Sequence, residues 1–78
     1  MEEMISVIIP SYNTPEHYLQ VLYRSLLEQT YQNFEVFVVD DCSQFDFYDM
    51  LTDPRFHVER MAQNGGPAKC RNRGAELA

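Results

Sequence analysis

A short apolar run that ends in two carboxylates constrains the fold of this chain more than any other feature. Residues 36–39, Val-Phe-Val-Val, are followed directly by Asp40 and Asp41. Consecutive β-branched and aromatic residues make both faces of a strand apolar, which is typical of a strand buried in a parallel sheet with a layer on each side. In open parallel sheets, ligands bind in crevices outside the carboxyl ends of the strands. The run therefore predicts a central strand whose end opens into a binding site.

The segments before and after this run predict a repeating α/β pattern. A helical crossover precedes the run and is long enough to make the first two strands parallel. We therefore expect an α/β fold, a three-layer βαβαβα unit with a short parallel sheet. The first predicted elements are a strand over 5–10, a helix from Pro15 to about Gln29 and the central strand. The helix has Thr14 as its N-cap, and its apolar stripe is Leu19, Leu22, Tyr23 and Leu26. After the central strand we expect a short helix over 45–51, a turn at Asp53-Pro54, an edge-like strand over 56–60, and a helix with Pro67 in its first turn.

Composition and charge limit the class of protein. With 78 residues the chain forms at most one small domain, and its net charge of −6 argues against a nucleic-acid-binding protein. No apolar run approaches the roughly 20 residues that span a membrane, so we expect a cytoplasmic chain. Two cysteines are too few for a disulfide framework, and we interpret both as small buried or half-buried thiols.

The loop after the first strand bears on nucleotide binding. Residues 11–14 contain no glycine, which excludes the glycine-rich phosphate loops of dinucleotide-binding and P-loop proteins. The loop instead offers Tyr12, whose ring either stacks on a nucleobase or packs against the following helix. If the first two strands are adjacent, Tyr12 and Asp40 share one sheet edge, and Asp40 is able to accept a base N–H.

A basic segment ends the chain. Residues 60–78 hold four basic and one acidic side chain. A glycine turn at residues 64–67 leads into a helix with several cations, an arrangement suited to a diphosphate. Interpretations without a ligand stay open for both groups of charged residues. The cations can form a solvated helix face. Asp40 and Asp41 can serve as caps of a turn or helix, as can Ser43.

Together these segments resemble the family 2 glycosyltransferases, which use nucleotide sugars and have a GT-A, or nucleotide-diphosphosugar transferase, fold. The resemblance covers nearly the whole chain and implies the N-terminal half of that fold. Each segment alone is a weak signal, but the four agree in order and spacing. They are residues 7–13 (VIIPSYN), 26–31 (LLEQTY), 35–43 (EVFVVDDCS) and 64–74 (NGGPAKCRNRG).

The resemblance also implies roles for individual residues. None of the residues it implicates is catalytic or a metal ligand. The implied substrate-binding residues are Pro10 and Tyr12 in the base pocket, Asp40 as the acceptor of a base N–H with Asp41 beside it, and Arg71 at the base or phosphate side of the nucleotide.

The implied activity is the inverting transfer of a sugar from a nucleoside diphosphate donor, most often a UDP-sugar, to an unknown saccharide or lipid-linked acceptor. The family's Asp-x-Asp motif, which binds the diphosphate and a divalent metal (Mn or Mg), and its general base are expected after Ala78. Residues 1–78 are thus expected to be the N-terminal nucleotide-binding part of the domain, without transferase activity of their own. Membrane association of the parent enzyme is left open.

Two other functions compete with this interpretation. A receiver-like signalling module also places an acidic pair after an apolar strand, but there the pair follows the first strand, and here it follows the second. The other alternative is a non-catalytic interaction fragment. A short parallel sheet leaves an unpaired edge through which copies of the chain could self-associate.

Overall fold

The computed structural model describes residues 3–78, which form a three-stranded parallel sheet with a helix on each face. Along the chain, the elements are strand β1 (Ile5–Ser11), helix α1 (Glu16–Glu28), strand β2 (Phe34–Asp40), a 3-10 turn (Tyr48–Met50), strand β3 (Phe56–Arg60) and helix α2 (Gly66–Leu77). The sheet order is β1-β2-β3, and both strand pairs are parallel. The α/β class and the central position of β2 are confirmed. Neither helix of the described residues is long and apolar enough to cross a membrane.

The register of the sheet aligns the carboxyl ends of its strands. Ser11 at the end of β1 pairs with Asp40 at the end of β2, and Asp40 pairs with Arg60 at the end of β3. Two backbone hydrogen bonds of 2.8 Å continue the ladder beyond the strands, from Asp41 N–H to the Ser11 carbonyl and from Met61 N–H to the Asp40 carbonyl. The chain therefore leaves all three strands side by side at one edge of the sheet.

The main hydrophobic core lies on one face of the sheet. Val36 and Val38 are at most 1% exposed, and because side chains alternate along a strand, both point to this face. Helix α1 and the segment around the 3-10 turn cover them. The buried members of this core are Leu19, Phe34, Val36, Val38 and Tyr48. Full burial of each large apolar side chain contributes about 1.5–3 kcal/mol.

Helix α2 covers the opposite face. Ile8 lies between two β1 residues that contact the main core, so its side chain points to the other side of the sheet. A Cβ atom added to Gly74 would lie 2.3 Å from Ile8 Cγ2. The missing side chain of Gly74 is therefore what allows α2 to approach β1 so closely.

The two cysteines, both free, occupy different environments. Cys70 on α2 is fully buried, and burial together with the nearby charge of Asp41 raises the pKa of its thiol. Cys42 is exposed. The interpretation as a small buried thiol is thus confirmed for Cys70 and wrong for Cys42, which lies in the loop after β2.

Helix α1 begins differently from the prediction. Pro15 takes the cap position, and its carbonyl accepts a hydrogen bond from Leu19 N–H at 3.1 Å. Thr14 is not the N-cap, because its hydroxyl is hydrogen-bonded to Ser11 Oγ at 2.6 Å instead. The predicted apolar stripe faces the sheet side, with Leu19 buried and its other members half-buried.

The connection between β2 and β3 is less helical than predicted. The expected helix over 45–51 is reduced to the 3-10 turn, because Asp46 Oδ1 accepts the Tyr48 N–H at 3.3 Å and competes with a helical backbone bond. The turn at Asp53 is confirmed, with its carbonyl accepting the Phe56 N–H at 3.0 Å. Strand β3 is largely exposed, as expected of an edge strand.

Candidate functional site

Three loops meet at the carboxyl edge of the sheet. Loop 1 (residues 12–15) follows β1, loop 2 (residues 41–47) follows β2, and loop 3 (residues 61–65) joins β3 to α2. This is the edge at which open α/β sheets bind ligands. The aligned register brings the loops together, and side-chain hydrogen bonds then connect them to one another.

Asn13 connects loop 1 to loop 2. Its backbone N–H donates to Ser43 Oγ at 2.8 Å, and its side-chain Oδ1 accepts the Gln44 N–H at 2.8 Å. Its φ of 48° lies in the left-handed region, which asparagine tolerates better than most residues. Loop 1, which carries Tyr12, is thus held against the residues that follow the two carboxylates.

Asp40 is buried at the base of this edge, with 3% of its surface exposed. Its Oδ2 accepts the Ser43 N–H at 2.9 Å, while its Oδ1 accepts the hydroxyls of Ser43 and Tyr48, each at 2.5 Å. Burial by itself raises the pKa of this carboxyl group, but these donors and the charge of Arg60 together hold the pKa below its ordinary value of 3.8. Asp40 is therefore a charged, oriented carboxylate with one acceptor position left on Oδ2.

Tyr48 connects Asp40 to the end of β1. Its hydroxyl lies 2.5 Å from Asp40 Oδ1 and 2.8 Å from Ser11 Oγ. Because the hydroxyl has a single proton, we assign that proton to the carboxylate, so that Ser11 donates to the Tyr48 oxygen and Thr14 donates to Ser11. Burial and the hydrogen bond to Asp40 raise the pKa of Tyr48 to about 12.

Asp41 connects loop 2 to loop 3 and is also buried, at 8% exposure. Its Oδ1 accepts the Gly65 N–H at 2.7 Å and its Oδ2 accepts the Gly66 N–H at 3.0 Å. With the Asn64 amide nitrogen facing the loop, that nitrogen donates to the Asp41 carbonyl at 2.5 Å and to Oδ2 at 3.2 Å. A carboxylate thus occupies the N-terminus of α2, where negative charge is favourable.

This arrangement corrects the expectation for the glycine turn. The sequence predicts that the glycine turn and the cationic helix after it suit a diphosphate, but the N–H groups of Gly65 and Gly66 point to Asp41. The anion-binding geometry of a helix N-terminus is present, and the chain's own carboxylate occupies it. A phosphate group at this edge would need other donors, such as the cations of α2.

The remaining predicted site residues differ in exposure and in position relative to the two carboxylates. Tyr12 is 50% exposed in loop 1, so its ring is free to meet a ligand. Pro10 is half-buried and pairs with Val39. Arg71 is exposed on α2, one residue after Cys70, and forms no ion pair with the residues described. The edge therefore brings together Tyr12, Asp40 and Asp41, with Arg71 on the adjoining helix.

The described residues do not fit a metal ion. Within residues 3–78, no group of three or more His, Cys, Asp or Glu side chains is arranged to hold one. The two aspartates direct their oxygens to protein donors, as described above. We derive no chemical step through a metal from these residues.

A separate groove lies away from the carboxyl edge. Its volume is about 420 Å³, and it runs along α1 next to Met50. It shares no residue with the predicted site. The lining residues are Gln20, Tyr23, Arg24, Leu27, Glu28 and Met50.

Two of the residues that organise this edge have no predicted role in the sequence. The sequence predicts Tyr48 only as part of a short helix and Ser11 only as part of a loop. Ser43 was considered as a cap, and it does hold Asp40 through both its N–H and its hydroxyl. A tyrosine in a segment that also holds Phe45, Phe47 and Met50 is a weak signal, because only the fold shows which carboxylate its hydroxyl reaches.

The chain is similar in sequence to a known family and to several of its relatives. Residues 6–78 match the model of the family described as Glycosyl transferase family 2. The chain is 38% identical over 80 residues to the putative teichuronic acid biosynthesis glycosyltransferase TuaG of Bacillus subtilis (strain 168), covering 96% of this chain and 31% of that protein. It is 38% identical over 87 residues to glycosyltransferase GlyG of Streptococcus pneumoniae serotype 4, covering 100% of this chain and 27% of that protein. It thus spans less than a third of the length of these relatives.

The fold is similar to that of a solved structure. The crystal structure of S. aureus TarS 1-349 superimposes with a TM-score of 0.85 at 36% sequence identity, covering 97% of this chain and 24% of that one. The three-stranded parallel sheet and its helices match the N-terminal part of a GT-A fold, as predicted.

Proposed function

The chain belongs to glycosyl transferase family 2, and from that membership we propose that residues 3–78 bind the nucleoside diphosphate part of a sugar donor. The enzyme of which they are part would transfer the sugar to an acceptor. One geometric observation supports this proposal. Two buried carboxylates, Asp40 and Asp41, follow the central strand at the carboxyl edge of a parallel sheet, and the exposed Tyr12 follows the neighbouring strand at the same edge.

The proposed contacts follow from the chemistry of each side chain. Tyr12 stacks on the base, with Pro10 behind it, since every base offers a π face. The base N–H is accepted by a carboxylate with an unused lone pair. Asp40 is predicted for this role and keeps one acceptor position on Oδ2. Asp41 also accepts three hydrogen bonds and keeps one position on Oδ1, and it is the less deeply buried of the pair, so we extend the proposal to Asp41.

The phosphate end of the donor is assigned to α2. Arg71 is exposed and unpaired among the described residues, so its guanidinium is available to a phosphate oxygen. Arg73, two residues on, is instead paired with Glu59 at 3.0 Å and Glu76 at 3.1 Å. Of these two arginines of α2, Arg71 is thus the one whose guanidinium has no ion-pair partner among the described residues.

The finer parts of the proposal rest on the family resemblance. They are a UDP-sugar donor, inverting transfer and a saccharide or lipid-linked acceptor. A cytoplasmic site of action is proposed separately, from the composition of the sequence. A divalent ion, Mn or Mg, would need ligands from outside the described residues, and so would the catalytic base. On this proposal the 78-residue chain binds a nucleotide and transfers no sugar.

Calorimetric titration with UDP tests the proposed site. Tyr12→Ala should weaken UDP binding about tenfold, because base–aromatic stacking contributes about 1–3 kcal/mol per base. The matched control is Tyr18→Ala, which removes another exposed tyrosine, from α1, and should leave binding unchanged. Equal UDP affinity of the two variants would contradict the assignment of Tyr12, and absence of UDP binding by the unaltered chain would contradict the proposed function. A parallel titration with GDP shows whether the base is distinguished.

A further inference from the structure

We infer that Tyr48 is a positioning residue of the nucleotide site, whose hydroxyl holds Asp40 and loop 1 in their relative places. This inference rests on the proposed function of the edge. The Tyr48 side chain reaches the site from the hydrophobic core, since its ring belongs to that core and the residue is 6% exposed. Its oxygen is the only polar atom of the side chain, and it reaches the ends of two strands.

The hydroxyl closes a continuous chain of hydrogen bonds. From loop 1 the chain runs through Thr14 and Ser11, separated by 2.6 Å, to the Tyr48 oxygen at 2.8 Å and on to Asp40 at 2.5 Å. Ser43 completes it by bonding both Asp40 and the N–H of Asn13 in loop 1. Asp40 and loop 1 are therefore connected on two sides, and Tyr48 supplies one of them.

The Tyr48 ring is held by contacts that do not involve its hydroxyl. The packing of the ring can therefore be kept while the hydroxyl is removed. The Arg60 guanidinium lies 5.3 Å from the ring centroid and is paired with Asp46 at 2.8 Å. The charged groups near the hydroxyl are thus Asp40 and Arg60, with Asp41 next in sequence to Asp40. A phenylalanine would keep the core packing and the contact with Arg60, and would lose only the hydrogen bonds.

The test compares Tyr48→Phe with Tyr23→Phe. Tyr23 is a matched control, since its hydroxyl also makes a hydrogen bond, accepting the Asp53 N–H at 2.9 Å, but at the opposite end of the sheet. Tyr48→Phe should weaken UDP binding about tenfold, the effect expected when one hydrogen bond to a charged group is lost. In the ligand-free chain, carbon-detected NMR should show a raised Asp40 pKa in this variant. Tyr23→Phe should change neither quantity.

The outcomes separate the two proposals. If the unaltered chain binds UDP and both variants bind it equally well, the positioning role is wrong and the proposed function stands. If Tyr48→Phe leaves the Asp40 titration unchanged, the hydrogen bond does not hold the carboxylate and the inference is overturned without reference to any ligand. If the unaltered chain does not bind UDP, the proposed function fails, and with it any role of Tyr48 in positioning a nucleotide site.

Discussion

Asp40 and Asp41 are neighbours in sequence and are both buried, yet they are stabilised by different kinds of donor. Asp40 faces two hydroxyls and one backbone N–H, all from loop 2 and the turn that follows it. Asp41 faces two backbone N–H groups at the start of α2 and the amide of Asn64. One carboxylate therefore organises the strand ends, while the other fixes a helix to the sheet.

The difference between the donors has a physical consequence. A hydroxyl can rotate and become an acceptor, whereas a backbone N–H can only donate, in a direction that the chain sets. The surroundings of Asp40 can thus adapt to a changed side chain better than those of Asp41. Adjacent residues of the same type should differ in their tolerance of substitution.

The largest effect is expected for Asp41→Asn. Its amide can accept from only one of the two glycine N–H groups, so the other faces a donor, and the free energy of unfolding should fall by about 2–3 kcal/mol. Asp40→Asn should lower it by only about 1 kcal/mol, because the Tyr48 and Ser43 hydroxyls can turn to accept from the amide. Urea unfolding of the two variants measures this difference. Equal destabilisation would show that the type of donor does not matter here.

A smaller effect separates the two glycines that donate to Asp41. Gly66 has a φ of +84°, so Gly66→Ala should lower the free energy of unfolding by about 1–2 kcal/mol through backbone strain alone, since no atom lies within 4 Å of the added Cβ. At Gly65 the added Cβ would lie 2.6 Å from Lys69 Cδ, which can rotate away because this side chain is exposed, and 3.1 Å from Lys69 Cβ, which needs only a small shift of the helix. Gly65→Ala should therefore change stability by less than about 0.5 kcal/mol. Thermal unfolding of both variants checks the ranking, and a reversed ranking would contradict it.

Cys42 follows the two carboxylates directly and gives a still smaller effect. Its φ of 61° is left-handed, a conformation that β-branched residues avoid and asparagine tolerates. Cys42→Val should lower the free energy of unfolding by about 1 kcal/mol, and Cys42→Asn should leave it almost unchanged. Because Cys42 is exposed, packing contributes little to either variant. A stable valine variant in urea unfolding would mean that the loop relaxes out of this conformation.

The smallest effect concerns the dependence of stability on pH. The folded pKa of Asp40 is below its ordinary value of 3.8, so the group contributes stability above that pH and loses it as pH falls through the folded pKa. Asp53 acts in the same direction, since hydrogen bonds from Arg55 lower its pKa to about 2. Asp40→Asn should therefore flatten the stability profile below pH 4 only in part. A profile identical to that of the unaltered chain would show that Asp40 has an ordinary pKa.

The sequence was sufficient to predict the features that depend on local patterns. The apolar run before Asp40 predicted the central strand, and the crossover helix predicted parallel pairing with β1. The hydrogen bonds around the carboxylates were not predictable in this way. They join Asp40 to Tyr48, eight residues on, and Asp41 to Gly65 and Gly66, 24 and 25 residues on. The partners depend on how the loops cross at the sheet edge. The spacing of apolar residues in the sequence does not indicate how the loops cross.

The most direct test of the nucleotide site is a map of UDP binding on the isotopically labelled chain by two-dimensional NMR. The account predicts shifts of amide signals confined to loops 1, 2 and 3 and the first turns of α2, with Tyr12, Asp41 and Gly66 among them. Shifts centred instead on the groove along α1, or well-dispersed signals that do not move at millimolar UDP, would contradict it.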